Sequence, residues 1–500
     1  MRFVLSAALT LMLGITSVSA ESKAPNIVFI LADDLGWADT TPYGSTFHET
    51  PNIQRLSNSG MRFVNAHSTS PVCSPARASI MTGLYAERLG MTQPACHIPL
   101  ESLKATLPKR SQPWFKTISP KSTTRLDTEF VTFAEILREN GYRTRHFGKW
   151  HLGPEPYSPL EHGFEVDVPH SKTHGPIGTY FGPRKYSESF TLEKGEHLED
   201  RMAQEAVKFI QENKDRPFFL NYWAFSVHTP PFAKPELLEK YRAKAAKLPP
   251  DARQRNPIYA GMIETFDENV GKLLDAINDA GIEEETIVIL FSDNGGTLHS
   301  GYTAEKYWGN GTKEEIIDIP FTSNHPFKEG KGTIHDGGTA VPCIVRWPGK
   351  AEKNSVSDAP FSGADFFPTF LEMAGIEIRD GLKLDGVSQV PAMLGREEPR
   401  NTLYGFWPNY IPRKNTIPAA WIRRGDYKLT RFFHDSPDGT HRHTLHNVKE
   451  DPGETNDVAS SYPQKAAEMS RMLDAHFTRA DAVLPVPNPN YNPNAVLPKR

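Results

Sequence analysis

Two continuous apolar runs, each ending in acids, limit this chain's fold more than any other feature. "NIVFILADD" occupies residues 26–34 and "ETIVILFSDNGG" residues 285–296. Neither alternates polar with apolar residues, so neither suits a strand with one face in water. Runs of this kind suit parallel strands covered on both faces. A helix is expected from Pro257 to Asn278, because Ile258, Met262, Ile263, Phe266, Val270, Leu273, Leu274 and Ile277 recur at helical spacing. Strand-like and helix-like stretches alternate from about residue 26 to 375, which predicts an α/β sheet layered with helices. Beyond about residue 395 the pattern changes. "AAWIRRGDYKLTRFF" and "HRHTLHNV" read as strands around the turn "SPDG", and "SYPQKAAEMSRMLDAHFTRA" reads as a helix. A smaller α+β subdomain is expected there, followed by a Pro- and Asn-rich tail that is either extended, as when laid over the surface, or loose.

Charge and the N-terminus narrow the function classes. The formal net charge of -4 gives no case for a nucleic-acid partner, so any anion binding must come from a local cluster of cations. The chain starts with Arg2, an apolar run from Phe3 to Ile15, and "TSVSA", the pattern of a secretory signal peptide cut after Ala20. The run is shorter than the roughly 20 residues of a membrane-spanning helix. The expected organisation is a signal peptide at 1–20, a catalytic domain at 21–395 and a C-terminal subdomain at 396–500. The expected product is secreted or periplasmic, without a membrane anchor. Only three cysteines are present, Cys73, Cys96 and Cys343, so at least one thiol is left over within a single chain. If that is Cys73, the other two can pair, and the sequence leaves this open.

In open α/β sheets ligands gather at the carboxyl ends of strands. Asp33 and Asp34 end one apolar run, and Asp293 and Asn294 end the other. On neighbouring strands they form a hard-oxygen set suited to Ca²⁺ or Mg²⁺ and poorly suited to Zn²⁺. "CSPARASIMTG" reads as a short helix, with Ser74 at the cap, Pro75 in the first turn and Gly83 past the end. Cys73 then lies at the positive helix terminus with Arg77 on the same side, which makes an anion site. In "GKWHLG", Lys149 and His151 are two apart and leave the same face if the chain is extended. His228 follows the apolar "FFLNYWAFSV". Lys331 stands among glycines that allow backbone to approach a ligand closely. Each of these has an ordinary alternative: a turn or helix cap, a buried structural cysteine, a polar strand end, a solvated lysine.

Taken together, "CSPAR" followed by "TGLY" resembles the C-x-P-x-R signature of the type I sulfatases, members of the alkaline-phosphatase-like superfamily. "LADDLGW", "FSDNGG", "GKWHLG", "SNHPFKEGKGTIHDGG" and "LHNVKEDPGE" are similar to further family motifs and follow in the family's order. Two departures, "FKEGKG" and "HDGG", leave the named positions intact. The resemblance implies an alkaline-phosphatase-like α/β/α sandwich. It implies that Cys73 is oxidised to formylglycine (3-oxoalanine) by a formylglycine-generating or anaerobic sulfatase-maturating enzyme. It further implies that Asp33, Asp34, Asp293 and Asn294 bind one Ca²⁺ together with an oxygen of the modified Cys73, that Arg77 steadies that residue, and that Lys149, His151, His228 and Lys331 hold the sulfate. Three rivals stand beside this reading: a phosphonate or phosphate ester hydrolase on the same fold, a non-catalytic calcium-dependent glycan-binding protein, and a hydrolase using the unmodified thiol.

Substrate class has one further pointer. Residues 101–125 carry Lys104, Lys109, Arg110, Lys116, Lys121 and Arg125 against one acid, Glu101, with Trp114 and Phe115 among them. Pro108, Pro113 and Pro120 argue against a helix or central strand. A basic, aromatic rim near the site is expected, and with it a sulfated carbohydrate substrate. A solvated surface loop is the plain alternative.

Overall fold

The computed structural model describes residues 24–298, 309–397, 399–412 and 416–495. The expected signal peptide lies outside the described residues. The centre is an eight-stranded sheet. Its spatial order is Ser355–Ser357, Met61–Phe63, Cys343–Arg346, Thr286–Ser292, Asn26–Ala32, Phe218–Trp223, Arg143–Gly148 and Val166–Val168. The five strands from Thr286–Ser292 to Val166–Val168 run parallel, and Cys343–Arg346 pairs antiparallel on both of its sides.

The two apolar runs are neighbours, Asn26 opposite Thr286 and Ala32 opposite Ser292. Their lack of alternation has a direct cause. Ile27, Phe29 and Leu31 enter one core with the helices Cys73–Thr82, Phe133–Glu139 and Phe366–Met373, whereas Val28, Ile30 and Ala32 enter a second core with Leu198–Asn213 and Pro257–Asp279. Water reaches neither face, so every position stays apolar. The expected Pro257–Asn278 helix is present as Pro257–Asp279, and Asn256 caps it by accepting from the N–H groups of Ile258 and Tyr259.

The C-terminal part forms a four-stranded antiparallel sheet, Thr402–Trp407, Ala419–Arg424, Tyr427–Phe432 and Arg442–Asn447, under the helix Pro463–Ala480. Two details differ from the sequence expectation. "AAWIRRGDYKLTRFF" is a hairpin rather than one strand, because Gly425 adopts a φ of 56° and reverses the chain. The strand Thr402–Trp407 was not anticipated. Buried charges tie this sheet to the short helix Asp336–Thr339: Lys428 Nζ lies 2.6 Å from Asp336 Oδ1 and 3.1 Å from Glu454 Oε1. The tail is described to residue 495, and its first part lies along the segment 112–118. Val486–Pro487 pairs with Thr117–Ile118, and the Asn488 amide donates to the carbonyls of Gln112 and Phe115. All three cysteines are free and buried, so Cys96 and Cys343 are separate thiols. Among the described residues, no helix is long and apolar enough to cross a membrane.

Candidate active site

Because Ala32 faces Ser292 across parallel strands, the next residues leave the sheet together at its carboxyl edge. Asp34 turns with a φ of 66°, and its N–H donates to Asp293 Oδ1 at 3.2 Å. The Asn294 amide donates to Asp34 Oδ1 at 2.8 Å, and the Thr297 hydroxyl donates to Asp34 Oδ2 at 3.3 Å. The four polar residues that end the two runs therefore form one buried cluster.

The Cys73 helix points its start into this cluster. It begins two residues earlier than expected, at Cys73, with extended Val72 rather than Ser74 as the cap, and Gly83 ends it with a φ of 68°. Ser74 does not cap, because its hydroxyl donates instead to the His151 carbonyl at 2.7 Å. Cys73 Sγ lies 3.5 Å from Asp33 Oδ1, 3.3 Å from Lys149 Nζ and 3.5 Å from Lys331 Nζ. Arg77, wholly buried, does not present its fork to an incoming anion as the sequence suggested. Its Nε donates to Asp293 Oδ2 at 2.8 Å, one Nη donates to the Lys149 carbonyl at 2.6 Å, and the other lies 3.6 Å from Asp33 Oδ1. The guanidinium also sits 5.1 Å above the Trp223 ring. Arg77 braces the carboxylates around residue 73.

Lys149 and His151 do not share a strand face. The strand ends at Gly148, whose φ of 102° lets it pass against the Trp223 carbonyl, and His151 itself takes a φ of 57°. The two side chains diverge. Lys149 Nζ pairs with Asp33 Oδ2 at 2.6 Å, while His151 Nε2 meets His97 Nδ1 at 3.1 Å. Lys331 Nζ pairs with Asp34 Oδ1 at 2.6 Å, and His228 Nε2 is 3.8 Å from Asp34 Oδ2. The glycines beside Lys331 serve the chain's own packing. A Cβ on Gly330 would come within 2.4 Å of the Gly296 carbonyl oxygen, and the Lys331 N–H donates to that carbonyl.

Burial and charge set the protonation of this cluster. Burial pushes the Cys73 thiol up to about 12, against the pull of Lys149 and Lys331, so an unmodified thiol here is a poor nucleophile near neutrality. Burial acts to raise Asp34, but Lys331, His228 and Lys149 outweigh it and hold the carboxyl below the usual range. Burial and its fellow carboxylates move Asp293 up to about 6, against Arg77. Burial and the two lysines bring His228 down to about 3, and burial with Lys149 keeps His151 neutral as well.

The structure thus brings Asp33, Asp34, Cys73, Arg77, Lys149, His228, Asp293, Asn294 and Lys331 into one cluster, with the His151 ring turned toward His97, and similarity to known proteins identifies the arrangement. The family model "Sulfatase" matches residues 25–376, and "N-sulphoglucosamine sulphohydrolase, C-terminal" matches 327–481. The chain belongs to the sulfatase family. It is 34% identical to the N-acetylgalactosamine-6-sulfatase of Canis lupus familiaris over 426 residues, 81% of this chain and 71% of that protein. It is 28% identical to a sulfatase of Formosa agariphila, across 93% of this chain and 91% of that one. The crystal structure of Ps i-CgsB in complex with k-i-k-neocarrahexaose superimposes with a TM-score of 0.71 at 26% identity, over 91% of this chain and 92% of that one. The protein is accordingly a hydrolase of sulfuric esters with the mixed α/β fold of sulfatases.

Sequence reasoning missed two residues at the mouth of the sulfatase site. His97 and His174 are exposed and stand with ring centroids 4.2 Å apart, beside buried His151. Each is a lone histidine in an irregular segment, "PACHIPL" and "SKTHGP", with no periodicity or motif to mark it. The basic segment 101–125 is also reshaped by folding. Lys116 is paired with Asp435 at 2.7 Å, Phe115 is stacked on Tyr410, and Arg125 is buried. Lys104, Lys109, Arg110 and Lys121 stay exposed.

Proposed function

We propose that this sulfatase is an exported enzyme that removes sulfate from a sulfated carbohydrate, using a formylglycine made from Cys73 by a maturation enzyme and one calcium ion. The supporting observation is the position of Cys73 Sγ, with two ammonium groups and a carboxylate within 3.5 Å. Export rests on the charged, apolar and small-residue pattern of residues 1–20, which also supports a secreted or periplasmic location.

The donor set fits a hard cation. Asp33, Asp34, Asp293 and Asn294 supply only oxygen, and Asn294 Oδ1 is buried without a hydrogen-bond partner. Among the described residues, the ligand atoms of Asp33, Asp34, Cys73 and His228 also lie within 4.8 Å of one another. Asp293 is outside that group because its oxygens already face Arg77 and the Asp34 N–H. We assign the ion to Asp33, Asp34, Asp293, Asn294 and the modified residue 73, and keep His228 for the substrate. When bound, calcium supplies fixed positive charge for the sulfuryl oxygens. Formylglycine at residue 73, as its hydrate, would supply two hydroxyls, one as nucleophile and one for release of sulfate.

The chain's own residues do the rest. Lys149 and Lys331 flank residue 73 and hold the sulfuryl oxygens, stabilising the charge that develops on them. Arg77 fixes Asp293 and Asp33. His228 and Lys331 both stand over Asp34, and one of them donates a proton to the leaving alcohol. His151 accepts the proton given up when sulfate is released. The negative charge of a sulfate ester entering this cluster favours protonation of His228, the candidate donor, which the unliganded site keeps neutral, while His151 must stay neutral to accept.

The carbohydrate reading rests on the exposed cations of residues 101–125 and on relatives named for N-acetylgalactosamine-6-sulfate and neocarrahexaose. Neutralising Lys109 and Arg110 together should weaken turnover of a sulfated oligosaccharide several-fold and flatten its salt dependence, since exposed charges act within a Debye length of about 8 Å at physiological salt. Hydrolysis of a small aryl sulfate should hardly change. Lys116 is left out because Asp435 already neutralises it. Steady-state rates on the two substrates over a salt series decide the point. Equal loss on both, or loss on neither, removes the glycan-binding role of this segment.

A further inference from the structure

Sulfate esters differ in how much they need a proton donor. When the ester S–O bond breaks, its electron pair goes to the departing oxygen. A nitrophenolate is a weak base and leaves as it is. A phenolate, and still more a sugar alkoxide, is a stronger base and takes up a proton as it leaves. His228, like Lys331, stands over Asp34 where it can give this proton. We infer that Glu199 and Tyr180 are positioning residues for that transfer, aiming His228 Nε2 at the leaving oxygen through the turn 225–228. The inference rests on the sulfatase reading and on His228 as the donor.

The turn is held from three sides. Glu199 lies in the first turn of the helix Leu198–Asn213, and its Oε1 accepts from the N–H groups of Phe225 and Ser226, at 2.8 Å from each. The Tyr180 hydroxyl donates to the carbonyls of Phe225 and His228, also at 2.8 Å. On the third side, the Ser226 carbonyl accepts from the Asp33 N–H at 2.9 Å, and the Val227 N–H donates to the Asp33 carbonyl at 2.7 Å. Within the turn, the His228 N–H donates to the Phe225 carbonyl at 3.0 Å. The ring is fixed as well. Nδ1 donates to the Thr229 carbonyl at 2.7 Å, so Nε2 is the nitrogen that faces Asp34 Oδ2, at 3.8 Å. An imidazolium here gives up its Nε2 proton to the alcohol, keeps Nδ1–H on Thr229, and regains the proton from water once the alcohol has gone.

Packing alone does not account for these two residues. Phe225 and Val227 already lie in an apolar core with Leu198 and Met202. Glu199 is 1% exposed, and burying an acid is costly even when it is hydrogen-bonded. Burial pushes its carboxyl up to about 7, against the N–H groups of Ser226 and Phe225. What Glu199 and Tyr180 add is direction. They fix main-chain groups at both ends of the turn, and His228 moves with its far end. The bonds to Glu199 need an acceptor oxygen and not a full charge, so an amide in its place can make them.

The test compares kcat and KM on phenyl sulfate and para-nitrophenyl sulfate for Glu199→Ala, Glu199→Gln, Tyr180→Phe, His228→Gln and the double variant Glu199→Ala with His228→Gln, each with its Tm. Glu199→Ala should lose about tenfold or more in kcat on phenyl sulfate and less than about threefold on para-nitrophenyl sulfate, because general-acid catalysis, typically about a hundredfold or more, acts only where the leaving oxygen needs a proton. KM should change little on either. Tyr180→Phe keeps the ring's packing and should show the same split on a smaller scale. Glu199→Gln should recover most of the lost rate. In the double variant, Glu199→Ala should add little to the loss from His228→Gln, as expected of residues that act through one group. Equal losses on both esters, or fully additive losses in the double variant, overturn the inference. Should Glu199→Ala fail to fold, Tyr180→Phe decides: a split between the esters supports the inference, and equal loss or no loss overturns it. Equal losses on the two esters in His228→Gln would remove His228 as the donor. A wild-type protein that releases sulfate from neither ester would count against the sulfatase reading itself, a result separable from all of these.

Discussion

Cys73→Ser should turn the enzyme into a single-use reagent. The substitution changes one atom in the site, and Lys149, Lys331 and Asp33 still converge on position 73. The serine Oγ can attack sulfur and expel the alcohol, which takes its proton from His228 or Lys331. It then carries a sulfate ester and has no second hydroxyl with which to release it. Steady turnover should fall by about a thousandfold or more, the scale on which loss of a covalent nucleophile is felt. Roughly one equivalent of alcohol should appear per active site, following the one-ester-per-serine stoichiometry of covalent catalysis, and the intact mass should rise by one sulfuryl group. Near-normal steady turnover in Cys73→Ser would show that position 73 is not the attacking group. Because burial keeps the native thiol protonated near neutrality, unmodified protein should likewise be almost inactive.

Removing Asp293 should have the second largest effect. The carboxylate accepts from Arg77 at 2.8 Å and from the Asp34 N–H at 3.2 Å. In Asp293→Ala the wholly buried guanidinium loses its closest acid, and breaking a buried pair of this kind costs about 3–5 kcal/mol. Calcium should no longer be retained, and the rate should fall by at least about a hundredfold, as when one electrostatic stabiliser is lost. Asp293→Asn separates the two contributions. Its amide oxygen can still accept from Arg77, so Tm should recover in part, while the lost negative charge should leave calcium binding and turnover impaired. Metal content after dialysis, Tm and turnover of the two variants provide the check. Unchanged calcium content with unchanged turnover in Asp293→Ala would remove the metal assignment.

What was legible in the sequence follows from where each signal originates. The sheet could be read because Ile27 to Ala32 and Ile287 to Phe291 face core on both sides, and burial on two faces leaves an unmistakable apolar run. The acids at the ends of those runs were legible for the same reason, since strand ends in such a sheet point at the site. Side-chain direction was harder. Lys149 and His151 were expected on one face, but left-handed backbone at Gly148 and His151 separates them, and single-sequence periodicity does not register a change of φ. Arg77 was expected to meet an anion, whereas it braces Asp293, because the acid lies more than two hundred residues away in sequence. His97 and His174 were invisible. They come from loops whose placement depends on long-range contacts such as those of Arg125 and Asn409, and a loop histidine looks alike whether it lines a site or faces water. The basic segment was over-read in part. Asp435, which neutralises Lys116, and Tyr410, which covers Phe115, both arrive from the C-terminal part of the chain.

The central claim is that residue 73 does its chemistry as something other than cysteine. Peptide mass spectrometry of catalytically active protein, covering "PVCSPAR", tests it most directly. The account predicts formylglycine at position 73, with the modified fraction rising in step with specific activity across preparations. Full activity from protein whose residue 73 is entirely an intact thiol would contradict it.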